Sequence, residues 1–125
     1  MTSAISRTPN GIWSWPDSLD ALLAAPAHHT LLLENEKMRV VQTRIPPGQT
    51  VPAHTHRFAG VLFIQNWSDL IRRDQHGTVL LDTRQLVGKP SLNTPLWQEP
   101  LPPHTVENVG GAEFNAVQVE IKDAP

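Results

Sequence analysis

The chain has no cysteine, which excludes disulfides, thiolate metal sites and a cysteine nucleophile. An excess of positive charge is also missing. Ten Lys and Arg stand against twelve Asp and Glu, a formal net charge of −2, so there is no basic footprint for a nucleic-acid backbone and no polybasic patch for anionic lipid. No apolar run approaches the roughly 18 residues a membrane-spanning helix needs. Residues Met1 to Arg7 carry no charged segment followed by an apolar one. They are therefore not read as a signal peptide, and a cytoplasmic location is expected. Charged residues are only 18% of the chain, below the usual quarter.

What is present is proline, 12 among 125 residues. Few charges and many prolines favour short strands joined by tight turns, and the length suits one domain with one core. Residues 1–29 read as an N-terminal arm and a short helix, and residues 30–122 as a β-barrel. Pro9-Asn10-Gly11 is a turn signal, and Trp13 and Trp15 offer apolar area that covers this chain or a partner. A helix is expected over 17–25, capped by Asp17, with Leu19, Leu22 and Leu23 as its apolar stripe and Pro26 as its stop. Strand-like runs follow at 31–33, 39–45, 61–64, 70–73 and 78–81. Asp74-Gln75-His76-Gly77 reads as a hairpin turn. Val117, Val119 and Ile121 alternate with Gln118, Glu120 and Lys122, the period-2 pattern of a half-buried strand. Eight to ten short strands with one small helix fit an all-β sandwich or barrel of jelly-roll type.

With thiolates excluded, any transition-metal site must use His and carboxylates, and there are six His. Successive odd or even residues of a strand share one face, about 6.6 Å apart. His54 and His56 can thus aim two imidazoles at one point. His104 opens another β segment, Pro103-His104-Thr105-Val106. If that segment lies beside the first, three neutral imidazoles converge and leave coordination positions open, as a catalytic site requires. His28, His29 and His76 are read as solvated, near a helix end and in a hairpin turn.

At these residues the sequence resembles the cupin superfamily. Gly48, His54 and His56 match its first motif in register, and His104 and Asn108 match its second, with Pro103 and Gly110 as common accompaniments. The resemblance covers roughly residues 30–122. It implies a single-domain cupin-type jelly-roll β-barrel with a metal near its centre, held by His54, His56 and His104. The sequence departs from the family pattern in places. The first-motif Glu falls at Gly60 or Val61, neither of which can ligate. Trp67 stands where that motif closes in Gly, and Glu99 and Leu101 replace the Pro and Gly of the second. The missing Glu leaves a neutral three-His site, and Gly60 is expected to leave room beside the metal.

The functional expectation is a small metal-dependent enzyme of dioxygenase-like type, acting on a small chelating organic anion. The metal is a divalent transition ion, Fe, Zn, Mn or Ni, since imidazole suits several of these alike. Metal-assisted isomerisation or hydrolysis, and a non-catalytic small-molecule-binding or sensing cupin, are the competing readings; fold alone does not choose between them. No catalytic residue is assigned. Gly60, Trp97 and Glu99 are candidate substrate-pocket residues, with Phe63 and Trp67 as possible parts of the cavity mouth against ordinary packing roles. Arg44 and Arg57 flank the first motif, where a guanidinium would pair a substrate carboxylate; a surface salt bridge is the ordinary alternative. A homodimer is expected.

Overall fold

The computed structural model describes residues 7–8 and 11–122. Two short strands, β1 (Arg7–Thr8) and β2 (Gly11–Ile12), pair with each other. A 3-10 turn (Asp17–Leu19) and helix α1 (Ala21–Ala24) follow. Nine further strands complete the fold: β3 (His29–Glu34), β4 (Met38–Ile45), β5 (Thr50–His56), β6 (Gly60–Asn66), β7 (Leu70–Asp74), β8 (Val79–Asp82), β9 (Leu96–Gln98), β10 (Leu101–Asn108) and β11 (Phe114–Ile121). They form two antiparallel sheets. One has the order β5-β10-β7-β8, the other β3-β4-β11-β6-β9. The result is the jelly roll expected from the sequence. Among the described residues no helix is long and apolar enough to cross a membrane.

The turns follow from local chemistry. Asn35 accepts the backbone N–H groups of Lys37 and Met38 on its side chain, closing β3 onto β4. Gly48, at φ +80°, takes the left-handed position after Pro46-Pro47 that a residue with a Cβ resists. Asp74 accepts from the N–H of His76 and of Thr78, fixing the β7–β8 hairpin as expected. Asn108 is the central brace. Its amide donates to the carbonyls of Ile45 and Ala112, both at 2.8 Å, and its carbonyl oxygen accepts from Ser68 Oγ and Gly110 N. One buried side chain thus ties three chain segments at the closed end of the barrel. Beside it lies the apolar core of Ala25, Ile45, Val51, Ile64, Phe114 and Ala116.

Two expectations need correction. The 17–25 helix is split, and its cap is Asp20, whose side chain accepts from Leu22 N. Asp17 is drawn away by Arg57 at 3.1 Å. The second correction concerns β11. Its period-2 pattern is real, but its phase is inverted: Ala116, Gln118 and Glu120 face inward, while Val117, Val119 and Ile121 face out. Outside, the register lines up Leu33, Val40, Val119, Val61 and Trp97 across all five strands. Leu33 and Trp97, at the two ends of this row, are 53% and 61% exposed. The polar face is inward because this end of the barrel encloses a polar site.

Replacing Asn108 by Ala leaves several buried loop groups without partners, at about 1–3 kcal/mol each. Asn108→Ala should lower the denaturant midpoint by the equivalent of roughly 3 kcal/mol or more. An unchanged midpoint would show that the three segments hold themselves.

Candidate metal centre

Bulges set the site. Between β5 and β10 the register moves from His54↔His104 to Val51↔Val106, so three residue steps on β5 oppose two on β10. The extra residue lies at Pro52-Ala53, both exposed. The compensating shift runs from His54↔His104 to His56↔Leu101, and places Pro102-Pro103 as the excess on β10. Proline cannot donate to a ladder and is at home in such bulges. The first bulge resets the phase so that Val51, His54 and His56 all reach the interior.

The rings converge. The His54 and His56 centroids lie 5.0 Å apart. His104 is 4.3 Å from His54 and 5.7 Å from His56. A fourth imidazole joins them: His29, the first residue of β3, stands 4.8 Å from His54 and 5.5 Å from His56. The candidate ligand atoms of His29, His54 and His56 lie within 4.8 Å of one another. The solvated reading of His29 is therefore wrong; it is 5% exposed. That of His28 is wrong too: it is buried, with Nε2 2.9 Å from Gln49 Oε1. His76 is exposed, as expected. No sequence spacing links His29 to His54, because β3 reaches the site only through its pairing with β4.

All four rings are oriented alike. His54 Nδ1 lies 2.7 Å from Pro52 O and His104 Nδ1 2.7 Å from Pro102 O. His29 Nδ1 lies 3.0 Å from Ala25 O, and His56 Nδ1 3.1 Å from Glu120 Oε2. A carbonyl or carboxylate oxygen only accepts, so each Nδ1 carries a proton and Nε2 is the nitrogen left to meet a ligand. Metal-bound imidazoles are oriented in this way by their outer hydrogen bonds. Burial, and after it the charge of neighbouring imidazoles, disfavours protonation. His29 is pushed down to about 4 and His104 to about 3, and His54 is lowered as well.

Glu120, fully buried, anchors the far side. Its other oxygen accepts from Arg39 Nε at 2.6 Å, and Arg39 Nη2 continues to Asp20 at 2.5 Å, the cap of α1. Burial alone raises a carboxyl. Here the bonds from His56 and Arg39 outweigh it and hold Glu120 below its usual range.

The rings line a cavity of about 80 Å³, walled by Leu62, Leu101, Val106 and Phe114. The candidate pocket residues are placed elsewhere. Gly60 does not line the cavity: it lies against β11, where a Cβ would overlap the Val119 carbonyl oxygen. Glycine stands there for close strand approach, and no side chain at 60 could reach a metal. Trp97 points outward and donates through Nε1 to Glu99. Gln98 between them lines the cavity instead. Exposed Arg44 pairs with half-buried Glu113, and Arg57 with Asp17. Trp67 packs beside Phe114 against the core, and Phe63 faces outward next to Val117. Sequence reasoning passed over Arg72 and Gln118, both at the cavity.

No protein-family model and no curated protein matches the sequence. Solved structures do match the fold. A cupin domain from Bordetella pertussis aligns over 76% of this chain and 92% of its own, at 24% identity and TM-score 0.61. A Klebsiella pneumoniae protein with a double-stranded β-helix domain covers 78% and 74%, at 19% identity and TM-score 0.52. An RmlC-like cupin family protein from Methanocaldococcus jannaschii covers 75% and 80%, at 11% identity and TM-score 0.51. The chain has the cupin fold. In this cupin barrel the conspicuous polar feature is the imidazole cluster, at the end opposite Asn108.

The low basicity of these imidazoles has a sign. An unfolded His protonates near 6.5, whereas His29 and His104 stay neutral in the fold down to about 4 and about 3. Between those values the unfolded chain holds more protons, so stability is complete above 6.5 and is lost as pH falls. Denaturant midpoints of metal-stripped protein should drop steadily from about pH 6.5 to about pH 4. A midpoint constant across that range would show that the rings are solvated.

Proposed function

We propose that this chain is a small metal-dependent cupin enzyme acting on a small chelating organic anion. The observation that carries this reading is the common orientation of the four rings, each with Nδ1 bonded outward and Nε2 left free. Such neutral nitrogen donors fit Fe, Zn, Mn or Ni at bond lengths of about 2.1 Å. His54, His56 and His104 would hold the ion, with His29 as a further ligand. A divalent ion bound there supplies Lewis acidity, undiminished by any anionic ligand in direct contact. The protein's own contributions are distinct. Glu120 and Arg39 fix the His56 ring. The apolar wall excludes water from the reacting end of the substrate, and burial keeps His29, His54 and His104 unprotonated at neutral pH. Oxygenation of an enolate-like substrate is the reaction class proposed, with the apolar cavity as the site where dioxygen meets it.

The test is metal stoichiometry. His54→Ala and His104→Ala should abolish stoichiometric metal on elemental analysis while leaving the β circular dichroism spectrum intact. His29→Ala should weaken retention by about 10–100-fold, and His76→Ala should change nothing. Full metal content in His54→Ala and His104→Ala would refute the site. Oxygen uptake by wild type with a panel of 2-oxo acids and β-diketones then tests the reaction class.

We also propose a homodimer through the outer face of β3-β4-β11-β6-β9. Trp13 is buried within its own chain, so its ring is not part of an exposed patch. The row from Leu33 to Trp97 is apolar across five strands, a width of about 19 Å at the usual strand spacing, and carries no charge that would clash with its own copy. A two-fold axis sets one such patch against its twin. Val119→Glu should halve the particle mass in light scattering without altering metal content. A wild-type particle of 13.9 kDa would overturn the dimer.

A further inference from the structure

Two donors in the cavity have no partner. Arg72 Nε and Gln118 Nε2 are both buried from solvent without a hydrogen bond, and both residues line the space enclosed by the four imidazoles. No carboxylate pairs with Arg72 among the described residues, whereas Arg39, Arg44, Arg57, Arg73 and Arg84 each have one. Arg72 is half-buried, and a guanidinium partly withdrawn from water without a counter-charge is costly; the buried Nε–H left unmade is a penalty in its own right. Burial accordingly pulls Arg72 below its ordinary range, with no neighbouring carboxylate to restore it.

The register sets the geometry. Arg72 on β7 pairs with Val106 on β10 and Leu81 on β8, and the next inward rung of β10 is His104. Inward rungs of one strand are about 6.7 Å apart. Gln118 projects from the opposite sheet, two residues from Glu120 and on the same inward face. The cavity thus has imidazoles at one end and two unsatisfied donors, one of them cationic, at the side.

We infer that Arg72 and Gln118 form a carboxylate-binding subsite that recognises a small carboxylic acid and directs its second oxygen toward the imidazole cluster. A guanidinium binds a carboxylate through two parallel N–H bonds, and the amide N–H₂ of Gln118 supplies a third donor. The second-oxygen role rests on the metal-centre reading above; carboxylate capture by Arg72 does not. The substrate class becomes a short carboxylate with a keto, enol or hydroxyl oxygen a few atoms away, such as a 2- or 3-oxo acid. The apolar wall limits its remainder to a few carbons.

Pyruvate and its uncharged analogue pyruvamide distinguish the outcomes. They are titrated into the full chain and each variant, as isolated and after metal removal, with calorimetric binding heat as readout and, where Arg72 is present, its Nε–H resonance as well. Pyruvate should shift that resonance in both preparations and bind about tenfold or more tightly than pyruvamide. Arg72→Met should abolish the pyruvate preference, and Gln118→Leu should weaken it. The exposed control Arg84→Met should leave it unchanged. With its charge removed, metal-stripped Arg72→Met without ligand should melt no lower than wild type, since a half-buried cation without a counter-charge does not stabilise the fold. Equal affinities for pyruvate and pyruvamide, or for wild type and Arg72→Met, would overturn the subsite. So would a lower melting temperature for Arg72→Met, because it would reveal a structural partner for the guanidinium. Absence of metal from the isolated protein would count against the metal centre alone, since the metal-stripped titration reads Arg72 directly.

Discussion

The site depends on what holds Nδ1 of each histidine. Pro52 and Pro102 sit at the two bulges between β5 and β10, and the carbonyl of each takes the Nδ1 proton of the histidine two residues on. The same irregularity does two jobs. It turns the strand so that the ring points inward, and it supplies the acceptor that chooses the tautomer. A regular ladder would commit that carbonyl to the neighbouring strand. His29 and His56 reach the same tautomer by other means, a carbonyl near the end of the α1 segment and a buried carboxylate.

A second consequence is the inverted polarity of β11. In an ordinary sandwich the valines of such a strand would be buried and the glutamine and glutamate wet. Here Glu120 lies inside, between His56 and Arg39, and the charge chain ends at Asp20, whose other oxygen caps α1. Removing one partner of a buried pair strands the other, whereas in the complete chain Arg39 answers both carboxylates. The valines are displaced to the outer face. There they form, with Leu33 and Trp97, an apolar surface that the chain's own described residues leave exposed at its ends.

The barrel thereby divides into two ends with different physics. At one, Asn108 and the aliphatic cluster close the loops through satisfied hydrogen bonds and packing. At the other, donors and lone pairs are left open: the Nε2 side of four imidazoles, Arg72 Nε and Gln118 Nε2. A fold tolerates unmade bonds at such a place because the stable end supplies the folding free energy. The cavity between them is where a ligand would complete the account.

The sequence by itself determined the element types, the Asn35 and Asp74 turns, the H-x-H pair and His104, because these follow from local periodicity, proline and glycine placement and motif spacing. It also pointed to the cupin architecture. Only the tertiary structure decided that His29 joins the cluster and that Gly60 is a strand-contact glycine. It likewise decided that Trp97 points outward and that Arg72, rather than Arg44 or Arg57, faces the cavity. Period 2 fixes which residues of a strand share a face, but not which face is inside. That choice rests on the buried partners Glu120 finds, Arg39 on the neighbouring β4 and His56 on β5 of the facing sheet, and no window of neighbouring residues contains them.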